Sequence, residues 1–227
     1  MRVLILDIGG THVKVYGPGR IEPVKIDSGA GMTPRKMVKA VRKATEGWSY
    51  DVISIGFPGP VVHGRPLRDP IHLGEGWVGF DFRKAFGRPV KVVNDAAMQA
   101  LGSYEGGRML FLGLGTGLGS AMIADGVMEP MELAHLPYRK ATFEEYVGTA
   151  ALKRLGNRKW AKNVFAVVAA LRDAVQAEYV VIGGGNAKDL EAMPPGAVIG
   201  RNEFARLGGL RLWAPQPRPR ALAAAVE

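Results

Sequence analysis

Asn94-Asp95 follows the mainly apolar run 90–93. A carboxylate at the carboxyl end of a strand, facing a cleft, can accept the proton of an attacking hydroxyl, and a neighbouring amide can fix that hydroxyl and the next one. Either residue also suits the N-cap of a helix starting at Ala96, so one can cap while the other reacts. Further along, Glu132 and His135 form an ExxH pair, with Glu144 and Glu145 beyond it. Carboxylates and imidazole bind vicinal hydroxyls by paired donor and acceptor contacts. The same residue types also serve as metal ligands or as solvated surface groups, but a metal needs further ligands that no HExxH or cysteine pattern supplies.

Three glycine turns could receive phosphate. In Asp7-Ile8-Gly9-Gly10-Thr11, adjacent glycines after a strand let backbone amides converge on phosphate oxygens, because no side chain blocks the approach and positive φ is open to them. Asp7 could hold Mg²⁺ through water. A plain hairpin turn fits the same pentapeptide. It is neither the Walker pattern nor a dinucleotide fingerprint, since no Lys-Ser or Lys-Thr and no GxGxxG helix start follows. Residues 112–119 carry glycine at alternate positions, with a hydroxyl donor at Thr116. Gly183, Gly184 and Gly185 fall between a strand and an expected helix, where amides at a helix start favour an anion. Each turn is weak alone; three turns that each follow an apolar strand favour a phosphate-donor cleft.

The elements that must position these residues can be read coarsely. Strands are expected over 2–6, 13–16, 21–26 and 52–57, with a helix over 34–46, a loop over 65–79, a short helix over 81–86, a strand over 90–93 and a helix from 96 to about 101. Strands follow over 108–114 and 120–124, the second ending at the hairpin signal Asp125-Gly126. Thr142 with Glu145 has the form of a capping box. Val164, Val167, Val168, Leu171 and Val175 recur at helical spacing within 160–176, and a strand over 179–182 leads into a helix from 187. A Gly-Thr turn between apolar strands occurs in both halves, which suggests two related lobes facing a cleft. The expected division is a small N-terminal α/β lobe over 1–95, a larger C-terminal α/β lobe over 96–213, and a tail or short helix over 214–227.

Composition narrows the setting. The chain has 227 residues, 47% of them hydrophobic, enough to bury a substantial core. It has no cysteine, which excludes disulfides and thiolate metal sites and favours the cytoplasm. No stretch approaches the roughly 20 apolar residues of a membrane span. The net charge of +9 suits a polyanionic partner, but the basic residues are scattered and no nucleic-acid reading motif accompanies them, so no nucleic-acid role is expected. Those of the helix over 34–46 read as an ordinary solvated face.

Taken in order, DIGGT, GFPGPV, NDA, LGTGLGS, ELAH and VIGGGN resemble the ROK family of bacterial sugar kinases in the actin-like ATPase superfamily, most of all its glucokinase and polyphosphate glucokinase branch. The resemblance runs over residues 3–213. It implies an α/β fold of two ribonuclease-H-like lobes around a central cleft that binds glucose or a related hexose, Mg²⁺, and polyphosphate or ATP as phosphoryl donor, in a homodimer joined through the larger lobe. Carried over by motif, Asp95 takes the proton of the sugar 6-hydroxyl and Asn94 orients neighbouring hydroxyls. Glu132 and His135 contact the sugar, although Ala134 stands where glycine is usual. Glu144 is the second sugar-binding glutamate, a role the adjacent Glu145 also fits. Gly9, Gly10 and Thr11 match the first phosphate motif, Thr116 and Gly117 the second, and the turn from Gly183 through Gly185 the nucleotide side. Lys14 reads either as a phosphate-neutralising cation or as a structural lysine.

Two departures bear on function. The cysteine-rich zinc motif that many members carry after the histidine is absent, so no structural zinc is expected, and the shortening tilts the donor toward polyphosphate. His72 stands where an asparagine sugar contact is expected. The alternatives are a sugar-binding or regulatory protein that kept the cleft with weak transfer, a kinase for another hexose or an amino sugar, and a phosphotransferase acting on a carboxylate. The last would need neither Asp95 nor the Glu132 and His135 contacts.

Overall fold

The computed structural model describes residues 1–201 and 203–214. The tail or short helix expected over 214–227 lies, from residue 215 onward, outside the described residues.

The first half contains β1 (Val3–Ile8), β2 (His12–Tyr16), β3 (Val24–Asp27), α1 (Pro34–Ala44), β4 (Val52–Phe57), a ribbon of β5 (Val61–Val62) and β6 (Arg65–Pro66), α2 (Phe82–Phe86) and β7 (Val90–Asn94). The second contains α3 (Asp95–Ser103), β8 (Arg108–Leu114), β9 (Leu118–Ala124), β10 (Val127–Met131), a ribbon of β11 (Pro137–Tyr138) and β12 (Ala141–Thr142), α4 (Phe143–Val147), α5 (Thr149–Leu155), α6 (Asn157–Val175), β13 (Tyr179–Gly183), β14 (Ala197–Ile199) and α7 (Phe204–Arg211).

The sheets have orders β3-β2-β1-β4-β7 and β10-β9-β8-β13-β14. Each is an antiparallel three-strand meander extended by two parallel strands. The internal symmetry expected from the two Gly-Thr turns is therefore a symmetry of topology. Every residue of β1 and β4 is buried, which suits strands covered on both faces. α1 starts at the Thr33 cap and turns Pro34, Met37, Val38 and Val41 inward. Its lysines and arginines stay exposed, so the helix is a solvated basic face, as expected. α6 buries Trp160, Val164, Val167, Val168 and Leu171 in one cluster with Leu110 and Leu112 of β8 and Val180 and Ile182 of β13.

α3 and α7 join the sheets. Gly102 of α3 lies against the backbone of Phe204 and Gly208, and Gly208 lies against Met98 O, so a β-carbon at either glycine would collide with the opposite main chain. α7 is tied to the first sheet as well, since Ser54 Oγ donates to Gly209 O at 2.6 Å and Trp213 Nε1 donates to Ser54 Oγ at 3.0 Å.

Some boundaries differ from expectation for local reasons. The strand expected from residue 21 starts at Val24, after a turn in which Arg20 N donates to Gly17 O and after Pro23. The helix expected from 187 is a single 3₁₀ turn, Ala187–Asp189. Asn186 makes no side-chain cap there; its amide is spent elsewhere, and Pro194 and Pro195 follow. The helix assigned to 160–176 begins earlier, at Asn157, directly after Gly156 at φ 72.

Candidate active site

A cleft of about 360 Å³ opens between the carboxyl ends of the strands in the two sheets. Asn94 and Asp95 form part of its wall, where β7 passes directly into α3. Asn94 is the helix cap: its Oδ1 accepts from Ala97 N at 3.1 Å and its Nδ2 donates to Gly59 O at 3.1 Å. One amide hydrogen is left for a ligand. Asp95, the first residue of the helix, accepts from the adjacent Ala96 N at 2.8 Å. The two roles left open between these neighbours are thus divided, with Asn94 capping and Asp95 facing the cleft.

The Asp95 carboxyl is pushed up to about 7, chiefly by burial and next by the negative charge of Asp7; Glu132 adds to the rise and the Ala96 N–H opposes it. A carboxyl that titrates near neutrality and borders a cleft has the form of a general base. Asp7 is buried behind the first glycine turn at 7% exposure, and Lys14 Nζ donates to its Oδ2 at 3.2 Å. Asp7 in turn is the main reason that the Lys14 ammonium titrates above its usual range. Neither residue is part of the cleft wall.

The first glycine turn is both a hairpin and a cleft wall. Gly9 N donates to His12 O at 2.9 Å, closing the β1–β2 turn, while Gly9 and Gly10 line the cavity. Neither has positive φ, so their use is close approach: a β-carbon on Gly10 would lie 3.0 Å from His72 Cβ. His72 therefore borders the cleft directly over this turn. Thr11 is exposed and outside the wall.

In the second turn, Thr116 and Gly117 line the cleft, and a side chain at Gly117 would occupy the space of the Glu144 carboxylate. Glu144 Oε2 accepts from Leu118 N at 3.3 Å. Glu145 points elsewhere, its Oε2 accepting from Thr142 N at 3.0 Å and Thr142 Oγ1 at 2.8 Å in a complete capping box. Of the two glutamates, only Glu144 borders the cavity. Glu132 and His135 border it too, and buried Ala134 sits between them with its carbonyl accepting from Glu144 N at 3.0 Å. Ser120 holds the start of this segment by donating to Met131 O at 3.0 Å and accepting from Leu133 N at 3.1 Å.

The third turn corrects an expectation. Gly184 reaches the cleft, whereas Gly183 and Gly185 do not, and the turn leads into a 3₁₀ turn that offers no helix start for an anion. Asn186 instead ties this turn to the second one, its Nδ2 donating to Gly115 O at 3.0 Å and to Thr149 Oγ1 at 2.9 Å.

Gln99 in the cleft wall and Asp69 behind it were not singled out from the sequence. Gln99 lines the cleft one helical turn after Asp95, and the i, i+4 spacing is its signal. Asp69 organises the loop that carries His72, accepting from Trp77 N at 2.7 Å, Gly76 N at 3.2 Å and Val78 N at 3.3 Å. Those amides hold its carboxyl below the usual carboxylate range, the Trp77 bond most of all. Asp-Pro before a glycine-rich stretch is the corresponding signal.

After His135 the chain forms the β11–β12 ribbon, and Tyr138 stacks on Phe143 at 4.6 Å with Tyr146 edge-on at 5.3 Å. Among the described residues, no group of three or more His, Cys, Asp or Glu side chains is placed to share a metal ion. No helix among the described residues is long and apolar enough to cross a membrane.

No protein-family model matches the chain. A polyphosphate glucokinase of Mycobacterium tuberculosis is 26% identical over 212 residues, covering 84% of this chain and 80% of the relative. The crystal structure of an inorganic polyphosphate/ATP-glucomannokinase from Arthrobacter sp. strain KM superposes with a TM-score of 0.76 at 26% identity, over 92% of this chain and 96% of the other. A ROK family glucokinase from Streptomyces griseus, solved with glucose and AMPPNP, shares the fold with a TM-score of 0.73 at 18% identity, over 93% of this chain and 99% of the other. With two sheets of matching topology around one cleft, this chain has the fold of the ROK sugar kinases, and its sequence is similar to those of the polyphosphate glucokinase and the glucomannokinase over most of its length.

Proposed function

We propose that the chain is a hexose kinase of the glucokinase type, which transfers a phosphoryl group from polyphosphate or ATP to the 6-hydroxyl of glucose or a related hexose. The observation that carries this reading is the Asp95 carboxyl, which is pushed up to about 7 and borders a cleft walled by two glycine turns and by Glu132, His135 and Glu144.

In the proposed reaction, the Asp95 carboxylate takes the hydroxyl proton as the sugar oxygen forms its bond to the terminal phosphorus. The bond from that phosphorus to the donor's bridging oxygen breaks, and the shortened donor leaves with the electron pair. Glu132, His135 and Glu144 hold the other hydroxyls, and the remaining Asn94 amide hydrogen is available to one of them. The amides of Gly10 and Gly117 and the Thr116 hydroxyl receive donor oxygens, and Gly9 leaves the approach to them open. Catalysis then rests on positioning and charge stabilisation.

Asp7 and Asp95 are close enough to raise the Asp95 carboxyl electrostatically, and Asp7 carries the partner Lys14. One carboxylate near a phosphate site suits Mg²⁺, which takes few protein ligands beside phosphates. Asp7 would hold the ion through water, and the ion would neutralise donor charge when bound. Lys14 holds the Asp7 carboxylate by an ion pair and contributes positive charge of its own.

The formal charge of +9 and the two 26% identical relatives with polyphosphate in their names support polyphosphate as a donor. A cytoplasmic site of action and a homodimer through the larger lobe belong to the same reading; the outer strand β14, with Val198 53% and Ile199 49% exposed, supports the dimer. The Ala134 methyl in the cleft wall and His72 over Gly10 favour a second reading, a sugar-binding or regulatory protein with weak transfer. A transfer assay with Mg²⁺ separates the two. ATP and polyphosphate are each offered with glucose, mannose, fructose, N-acetylglucosamine and N-acetylmannosamine, with D95N as control. A sugar phosphate whose formation depends on Asp95 names donor and acceptor. Sugar binding by the folded protein without transfer from either donor replaces the kinase reading with the second one.

A further inference from the structure

A second cavity, of about 820 Å³, shares no lining residue with the cleft. It lies where the β5–β6 ribbon, α2 and the edge strand β7 of the first sheet meet the β9–β10 turn of the second, with Leu101 of α3 and Leu212 completing its wall. Four basic side chains line it, His63, Arg65, Arg83 and Lys91, and no carboxylate does. Three other arginines of the described residues pair with acids, Arg2 with Asp51 at 3.0 Å, Arg172 with Asp173 at 3.0 Å and Arg201 with Glu203 at 3.6 Å. Lys91 is held by donating to Leu212 O at 2.8 Å, with its Nζ 4.7 Å from the Trp213 ring centroid. The side chains of His63, Arg65 and Arg83 have no hydrogen-bond or ion-pair partner among the described residues.

Cations converging on a concave surface without a counter-charge repel one another and focus a positive field into it, more so where the walls are apolar, as Val92, Leu101 and Met128 make them here. Arginine forks match phosphate oxygens in pairs. His63 is fixed at the rim, at φ 50 in a two-residue turn with Gly64 at φ 72. Among the described residues the outer edge of β7 has no strand partner, so its backbone groups face this side too.

We propose that this cavity is a second anion site, which binds a phosphate-bearing anion through Arg65, Arg83 and His63. Because its lining comes from both sheets, its ligand would favour one arrangement of the two over another. The inference does not depend on the chemistry of the cleft.

Calorimetric titration of the full chain with tripolyphosphate tests it, using wild type, R65E/R83E and R65Q/R83Q. Both variants are expected to bind one equivalent fewer than wild type, or to bind that equivalent roughly tenfold or more weakly. R65K/R83K is expected to retain part of it. Glucose 6-phosphate and ADP, titrated in the same way, separate the sources of phosphate, since the physiological class is the one whose binding R65E/R83E weakens. Stoichiometry and affinity equal to wild type in both the charge-reversed and the neutral variant, for all three probes, overturn the proposal. Loss of one equivalent in a chain that transfers no phosphoryl group would support this site while removing the kinase reading.

Discussion

The starts of α3 and α4 solve the same problem in different ways. Each presents two adjacent polar residues at a helix N-terminus beside the cleft, and each spends one on capping the helix and aims the other at the cavity. At α3 the cap is the residue before the helix, Asn94, and the free acid is the first helical residue, Asp95. At α4 the cap is Thr142, the reciprocal partner is Glu145, and the free acid is Glu144. The surroundings then separate the two free acids. Asp95 is half-buried, and desolvation together with the charge of Asp7 drives its carboxyl up to about 7, whereas Glu144 accepts a backbone N–H from Leu118. A pair at a helix start can thus divide into structural and chemical members, and the environment of the free acid decides whether it suits proton transfer or ligand binding.

Breaking the chemical member of each pair has the largest effect. D95N is expected to lower kcat by about 10²–10⁴ while leaving the hexose KM within a few-fold, as steady-state kinetics would show. E144Q weakens hydrogen bonds to the sugar, so a roughly tenfold to hundredfold loss of kcat/KM is expected, expressed mainly in the hexose KM. A dominant effect on kcat with unchanged KM would assign Glu144 to the chemistry instead.

Stability sharpens the comparison further. Below the unfolded carboxylate pKa, Asp95 is protonated in both states and costs nothing. As pH rises from about 4 to 7 the unfolded chain ionises first, and the native state loses stability that it does not regain above pH 7. D95N removes this penalty, so thermal melts should show it more stable than wild type by roughly 1–3 kcal/mol at pH 8 and indistinguishable near pH 3. E145A should do the opposite at all pH values above 5, losing about 1 kcal/mol with the capping box while transfer at 25 °C stays near wild type. Loss of transfer in a folded E145A would mean that the division of labour at α4 is wrong.

The α/β fold of two related sheets was legible in the sequence, and so were the motifs that meet at the cleft; the part played by single residues was less so. DIGGT, NDA, LGTGLGS and ELAH lie at strand ends, where local chemistry and glycine spacing leave a signal, and residues of all four line one cleft. The division of roles between Asn94 and Asp95, and between Glu144 and Glu145, could not be read, because either member of each pair can make the local bond; only the cap geometry assigns them. The third glycine turn misled for a related reason: a strand followed by glycines resembles a helix start, but Asn186 spends its amide on Gly115 and Thr149. α7 carries little amphipathic pattern, since its defining contacts are glycine backbones pressed on α3 and on Ile5.

The most direct test of the account is the pH dependence of kcat/KM for the hexose in wild type, because that quantity reports ionisations of the free enzyme. With Asp95 as the base, a single ionisation near pH 7 is expected, with activity falling about tenfold per unit below it, and no such limb in the residual activity of D95N. A wild-type profile that is flat from pH 5.5 to 8.5 would contradict the assignment of Asp95 as the base.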